Sequence, residues 1–331
     1  MTTESQPSDF EVVPARVGRT SAPRPATALN LGVCQLMLPD TSFEDDVRYV
    51  AAAGIPALGI WEGKLIEGEE SGQANLVATS GLAASAAIPA NISPLPADDA
   101  YPGPADLDER VEAMKHSIRR LARFRPSAIV VLTGSGAGLV PADARRTVVD
   151  GLREAAREAA AHELALSIEP IPSHPDVDIS IVDTIPDVVE LIGEIGAANV
   201  GICWDVCNLA HTDDVVDLTE RYASLINSVH VADLRAPRGP VDRHLPGDGY
   251  LDLFGLLSAL RRGGYAGTVD LEVLARDGLE FDGSAALWRL PPAELIRRAQ
   301  AAMQAVWAGT SGERPRGAMN TTNTRSSNGK G

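Results

Sequence analysis

The sequence predicts an α/β fold, a (β/α)8 TIM barrel, and three observations carry that prediction. Apolar runs of strand length alternate with longer segments of helical period, the rhythm of βαβ units around a parallel sheet. Eight such units fit into about 280 residues, a count and length that suit a closed barrel better than an open doubly wound sheet. No GxGxxG turn follows the first apolar run, and no Walker lysine motif occurs anywhere in the 331 residues. Nucleotide-binding folds therefore lose their usual support.

Residues 29–36 read as the first strand and 43–53 as the first helix, capped by Thr41 or Ser42. Residues 57–61 are the second strand, set off by Gly54, which ends the helix before it. A weaker helix covers 73–79, and the small residues of 82–89 form the third strand. Residues 107–123 give an amphipathic helix. AIVVLT (128–133) is the clearest β-branched run, and the Ala- and Arg-rich stretch 142–163 is the longest helix. Strand five is 164–169, and its helix, 185–195, is closed by Gly196. Strand six is 200–205, strand seven starts at Ile226 and runs into His230, and 216–223 supplies a helical turn or two between them. Residues 253–262 are helical, 267–273 are strand eight, and 292–307 form the closing helix, whose Pro292 suits a first turn. Residues 1–27 and 309–331 are polar and aperiodic. They read as a disordered leader and tail around one barrel domain at 28–308.

Composition narrows the function classes. A hydrophobic content of 44% supports a real core, and a formal charge of −16 argues against a nucleic-acid surface, which needs a basic patch. Net acidity suits an enzyme that concentrates a cation. No apolar run approaches the ~20 residues of a membrane helix, and the N-terminal stretch has no signal-peptide core. Cys34, Cys203 and Cys207 form neither a disulfide framework nor a CxxC pair, so a cytoplasmic setting is expected.

In a barrel, chemistry gathers at the C-terminal ends of the strands. Four consecutive predicted strands end in an ionisable group: Glu169 (SIEP), Asp205 (CWDVCN), His230 (SVHVAD) and Glu272 (VDLEV). Adjacent strands lie just under ~5 Å apart, so neighbouring ends along half the rim can converge on one cation. Three carboxylates and an imidazole favour a harder divalent ion, Mn2+ first and Mg2+ or Co2+ as alternatives, over a thiolate-type zinc site.

Those strand ends, in the order Glu, Asp, His, Glu, resemble the xylose-isomerase-like TIM-barrel superfamily of sugar and sugar-phosphate isomerases and epimerases. The resemblance covers 29–307 and is strongest where IEPIP, CWDVCN, VHVADLR, LPGDGYLDL and VDLEV fall in order. It implies that Glu169, Asp205, His230 and Glu272 bind one divalent metal. It also implies that Glu169 and Glu272 are catalytic and approach the substrate from opposite faces. Arg235 resembles a position that contacts substrate oxygens. Asn208 stands where many relatives carry a histidine, and His211 lies three residues further on. Trp61 and Glu62 end strand two, where relatives often touch substrate, and His174 and His244 read as loop histidines. The polar groups nearest the ends of the early strands are Gln35, Glu62, Lys64 and Asn91, with no basic cluster to announce a phosphate.

The expected activity is metal-dependent isomerisation or epimerisation of a sugar, sugar acid or cyclitol, with a small polyhydroxylated substrate and, by resemblance, pairing as a homodimer. The same ligands also serve a dehydratase of a polyhydroxylated ketone, and a barrel can keep this fold as a non-catalytic binding protein. An abasic-site endonuclease is disfavoured, because it needs about three metals and more than the six histidines present.

Overall fold

The computed structural model describes residues 28–97, 103–172, 178–235, 243–274 and 287–310. Eight parallel strands close a barrel: β1 (Leu31–Cys34), β2 (Ala57–Trp61), β3 (Ala83–Ile88), β4 (Ala128–Val131), β5 (Leu166–Ile168), β6 (Val200–Asp205), β7 (Ile226–Val231) and β10 (Val269–Leu271), with β10 returning to β1. Between β7 and β10 a small antiparallel pair, β8 (Asp233–Leu234) and β9 (Arg243–His244), stands outside the barrel sheet. The longer helices are α1 (Phe43–Ala52), α2 (Glu70–Thr79), α3 (Leu107–Leu121), α4 (Pro141–Ala161), α5 (Ile185–Ile195), α7 (Val215–Tyr222), α8 (Leu253–Arg262) and α9 (Pro292–Gly309). The four-residue α6 (Val206–Leu209) follows β6 directly. Among the described residues no helix is long and apolar enough to cross a membrane.

Strand alternation divides the chain between two cores. Leu58, Ile60, Ile129, Val131, Leu166, Ile168, Ile202 and Trp204 pack outward into the cluster shared with the helices. Cys34, Ala86, Val130 and Cys203 belong to a second cluster, inside the barrel. Both faces being covered explains why the strands read as near-continuous apolar runs. Local signals fix the helix ends. Ser42 accepts the Asp45 N–H, Thr184 and Asp187 form a capping box, and Gly196 ends α5 with φ 66°.

The predicted elements appear in order, and the differences are at their ends. The fourth strand stops at Val131 because the next residues leave the ladder: the Leu132 N–H donates to the Ile92 carbonyl, and the Thr133 carbonyl accepts from Leu95. The second helix starts at Glu70, earlier than its apolar period, and Glu70 accepts from Arg120 at 2.7 Å. The β8–β9 pair was not predicted, since two-residue strands carry no period. The predicted leader lies outside the described residues, as does the predicted tail beyond Thr310.

Gly32 shows how tightly the barrel is filled. It pairs with Asp270 across β1 and β10, and a Cβ built on it would come 1.8 Å from Asp270 Oδ1. Asp270 is buried, and burial raises its carboxyl to about 6. Gly32→Ala should therefore lower stability by about 1–3 kcal/mol in chemical denaturation, the usual cost of overpacking. An unchanged midpoint would contradict the packing described.

Candidate functional site

Each site residue follows from strand alternation. Ser167 and Ser228 face inward, where their hydroxyls meet at 2.7 Å, so Glu169 and His230, two residues further on, face inward as well. Cys203 precedes Asp205 and Asp270 precedes Glu272 by the same step. Asp205 pairs with His230 across β6 and β7. All four groups are buried.

Asp205 also caps α6: its Oδ1 accepts the N–H groups of Cys207 at 2.7 Å and Asn208 at 3.1 Å. That fixes the carboxylate and leaves Oδ2 buried, without a hydrogen bond, 2.8 Å from Arg243 Nη1. The same nitrogen lies 2.5 Å from Glu272 Oε2. Glu272 Oε1 faces His230 Nδ1 at 3.4 Å and accepts the Cys34 thiol at 3.4 Å. Asn208 donates through Nδ2 to Glu169 Oε1 at 2.7 Å. Ligand-capable atoms of Asp205, His230 and Glu272 all lie within 4.8 Å of one another, as do those of Glu169, Cys203 and His230.

Three carboxylates in this volume are opposed by one guanidinium and one imidazole. Burial, reinforced by the charges of Asp205 and Glu272, pushes Glu169 up to about 8. Burial also raises Asp205, against the pull of Arg243. For Glu272 burial acts upward too, but His230 and Arg243 outweigh it and hold the carboxyl below its ordinary value. Burial works against the charged form of His230, yet Glu272 keeps the imidazole well above its usual range.

The remaining predicted residues separate into those brought to this cluster and those turned from it. Asn208 is brought in, holding Glu169. Trp61 is half-buried against the inner apolar cluster. Glu62 is turned from the cluster: Oε1 accepts from Arg120 at 2.8 Å and Oε2 accepts the Ala90 N–H at 2.7 Å. A carboxylate paired on both oxygens, on the helix side of the strand, is a structural tie. Lys64 is likewise committed, to Asp46 at 2.7 Å. Arg235 is half-buried and donates to the Asp248 carbonyl at 3.0 Å, which directs it along the β9–α8 turn. His211 is exposed between α6 and α7. His244 lies in β9, and His174 lies outside the described residues.

Sequence reading passed over Arg243, the guanidinium that joins Asp205 to Glu272. What returns it to the site is Asp233, whose carboxylate accepts the N–H groups of Leu234, Gly247 and Leu251 and so folds the LPGDG turn back over β7. A basic residue just before that turn was the available signal.

Glu169 generates a pH prediction. Its folded value lies above its unfolded one, so the stability it contributes is full below about 4.5 and is lost as pH rises through about 8. In chelator-treated protein, Glu169→Gln should gain in Tm over wild type as pH goes from 5 to 8.5, by roughly several degrees. A Tm difference that stays constant with pH would contradict the assignment.

A family model described as xylose isomerase-like TIM barrel matches residues 47–306. Among solved structures, a protein from Sinorhizobium meliloti 1021 gives a TM-score of 0.72 at 22% identity, over 84% of this chain and 98% of its own. The IOLI protein with a bound zinc atom gives 0.68 at 17%, over 84% and 98%. The apo form of 3-keto-D-glucoside 4-epimerase from E. coli gives 0.66 at 21%, over 84% and 100%. At these identities the likeness is one of fold. No curated protein matches the chain in sequence.

Proposed function

The chain belongs to the xylose isomerase-like TIM barrel family, and we propose that it is a divalent-metal-dependent isomerase or epimerase acting beside the carbonyl of a sugar, sugar acid or cyclitol. The observation that carries this reading is the convergence of Asp205, His230 and Glu272 within 4.8 Å, with Glu169 on the same rim. The donor set fits a cation. Asp205 Oδ2 is buried, makes no hydrogen bond and has the Arg243 guanidinium at 2.8 Å, and three carboxyl groups and an imidazole present oxygen and nitrogen donors on neighbouring strand ends. Glu169, Asp205, His230 and Glu272 would hold the ion. Their oxygen-rich chemistry favours Mn2+, with Mg2+ and Co2+ as alternatives, while the IOLI structure carries zinc. When bound, the ion supplies Lewis-acid stabilisation of negative charge developing on a carbonyl oxygen.

The chain's own residues supply the rest. Glu169 stands just after β5 and Glu272 just after β10, with β6 and β7 between them, so a substrate lying over those strands meets a carboxylate from each side. One carboxylate takes the proton from the carbon next to the carbonyl. Return from the other side inverts that carbon, and return to the neighbouring carbon moves the carbonyl. Asn208 orients Glu169, and Arg243 offers fixed positive charge beside Glu272. All three cysteines are buried and free, which suits a cytoplasmic enzyme.

Two measurements test the reading. Mn2+ at a hundred times its Kd should stabilise chelator-treated protein by about 2.7 kcal/mol, and Asp205→Asn should remove most of that gain. An equal gain in the variant would place the ion elsewhere. In D2O with Mn2+, NMR should show deuterium entering the carbon next to the carbonyl of D-fructose or of a 3-keto-D-glucoside, without loss of water. Glu169→Gln and Glu272→Gln should each slow that exchange by about 100-fold or more. A deoxy or unsaturated product would instead make the protein a dehydratase, and no exchange with any ketose would overturn the proposal.

A further inference from the structure

The strand register sets ligand-capable groups at two depths. Asp205 pairs with His230 across β6 and β7, while Cys203, two residues earlier on the same inward face, pairs with Ser228 one step deeper. On the other side Ile168 pairs with Ile202, which brings Glu169, the next residue, beside Cys203. Two groups result, and both contain His230. One is Asp205, His230 and Glu272; the other, reaching deeper, is Glu169, Cys203 and His230. The ligand-capable atoms of each group lie within 4.8 Å of one another, and all five residues are buried. His230 presents the same nitrogen to both, Nδ1 lying 3.4 Å from Glu272 Oε1 and 3.8 Å from Cys203 Sγ.

The two groups differ in charge and in softness. In the first, Arg243 already stands between the carboxylates, 2.8 Å from Asp205 Oδ2 and 2.5 Å from Glu272 Oε2. In the second, Glu169 has the neutral Asn208 amide at 2.7 Å. The first offers oxygen and nitrogen donors, which suit a hard ion, whereas the sulfur of the second selects ions of the zinc type. Three protein ligands with a fourth position open is a coordination that zinc adopts readily. The other two cysteines stand elsewhere: Cys207 lies in α6 with the outer cluster, and Cys34 meets Glu272.

We infer that Glu169, Cys203 and His230 form a second cation position, selective for a thiophilic divalent ion. The ion takes the sulfur as thiolate, and the thiol proton leaves to solvent. Nδ1 of His230 has one lone pair and serves one ion at a time, so this position and the one completed by Asp205 and Glu272 are alternatives. A thiophilic ion therefore displaces Mn2+ and leaves Arg243 between Asp205 and Glu272. That competition rests on the cation site proposed above; the sulfur-bound position does not.

The test adds Cd2+, a thiophilic probe that absorbs in the ultraviolet by charge transfer when a thiolate binds it, to the chelator-treated full chain. Bound Cd2+ should give that band, and the band should be lost in Cys203→Ser but kept in Cys34→Ser and Cys207→Ser. Cys203→Ser should weaken Cd2+ binding by about 10- to 100-fold, while Mn2+ still binds. Asp205→Asn should keep the band. Cd2+ should also release bound Mn2+, seen as the return of the free-ion signal in electron paramagnetic resonance. If Cys203→Ser does not fold, the double variant Cys34→Ser/Cys207→Ser keeps Cys203 as its single thiol, and the band must persist in it. Cd2+ bound without the band, a band that follows Cys34 or Cys207, its loss in Asp205→Asn, or Cd2+ and Mn2+ bound together would overturn the inference. Each of these leaves the isomerase reading to its own Mn2+ and D2O tests. Binding of neither ion would overturn both.

Discussion

Three carboxylates inside a barrel mouth are the constraint around which this molecule is arranged. Ionised groups of that kind cost several kcal/mol each when taken out of water without compensation. Glu169, Asp205 and Glu272 are all buried, so their environment has to supply positive charge and donors. Arg243 and His230 supply the charge for Asp205 and Glu272, and the N–H groups of Cys207 and Asn208 satisfy one oxygen of Asp205. Glu169 receives the Asn208 amide, and burial, reinforced by the charges of Asp205 and Glu272, raises it to about 8. A divalent cation completes this balance in the proposed function.

The surrounding fold serves that arrangement. Alternation along β5, β6, β7 and β10 places each ionisable side chain one step above an inward-facing residue. α6 begins immediately after Asp205 and turns the carboxylate into a helix cap. The β8–β9 pair and the turn fastened by Asp233 carry Arg243 back over the strand ends. On the opposite half, Gln35 and Lys64 are tied to Asp46 of α1 and Glu62 to Arg120 of α3, and the residues inside the barrel there form a buried apolar cluster.

Most of the fold and half of the site were legible in the sequence. The strands and helices were readable because both faces of a parallel barrel are covered, which makes strands continuous in hydrophobicity and helices periodic. Glu169, Asp205, His230 and Glu272 were readable as ionisable residues closing apolar runs. The place of Glu62 was not legible, because a charge at a strand end reads the same whether it faces the mouth or a helix, and Arg120 draws it outward from 58 residues away. Arg243 escaped because its place depends on a hairpin of two-residue strands and on a turn held by Asp233, neither of which has a periodic trace. Arg235, five residues after His230, had the better spacing, but the chain turns it toward Asp248.

The central claim is that the ionic half of the mouth is a cation site built by four successive barrel strands. The most direct measurement is a crystal structure of protein grown with Mn2+, with anomalous scattering recorded at the manganese edge. The account predicts one strong anomalous peak within coordination distance of Glu169, Asp205, His230 and Glu272, and Arg243 no longer joining Asp205 to Glu272 through a single nitrogen. No peak at that point, with Arg243 still bridging the two carboxylates at saturating Mn2+, would contradict it.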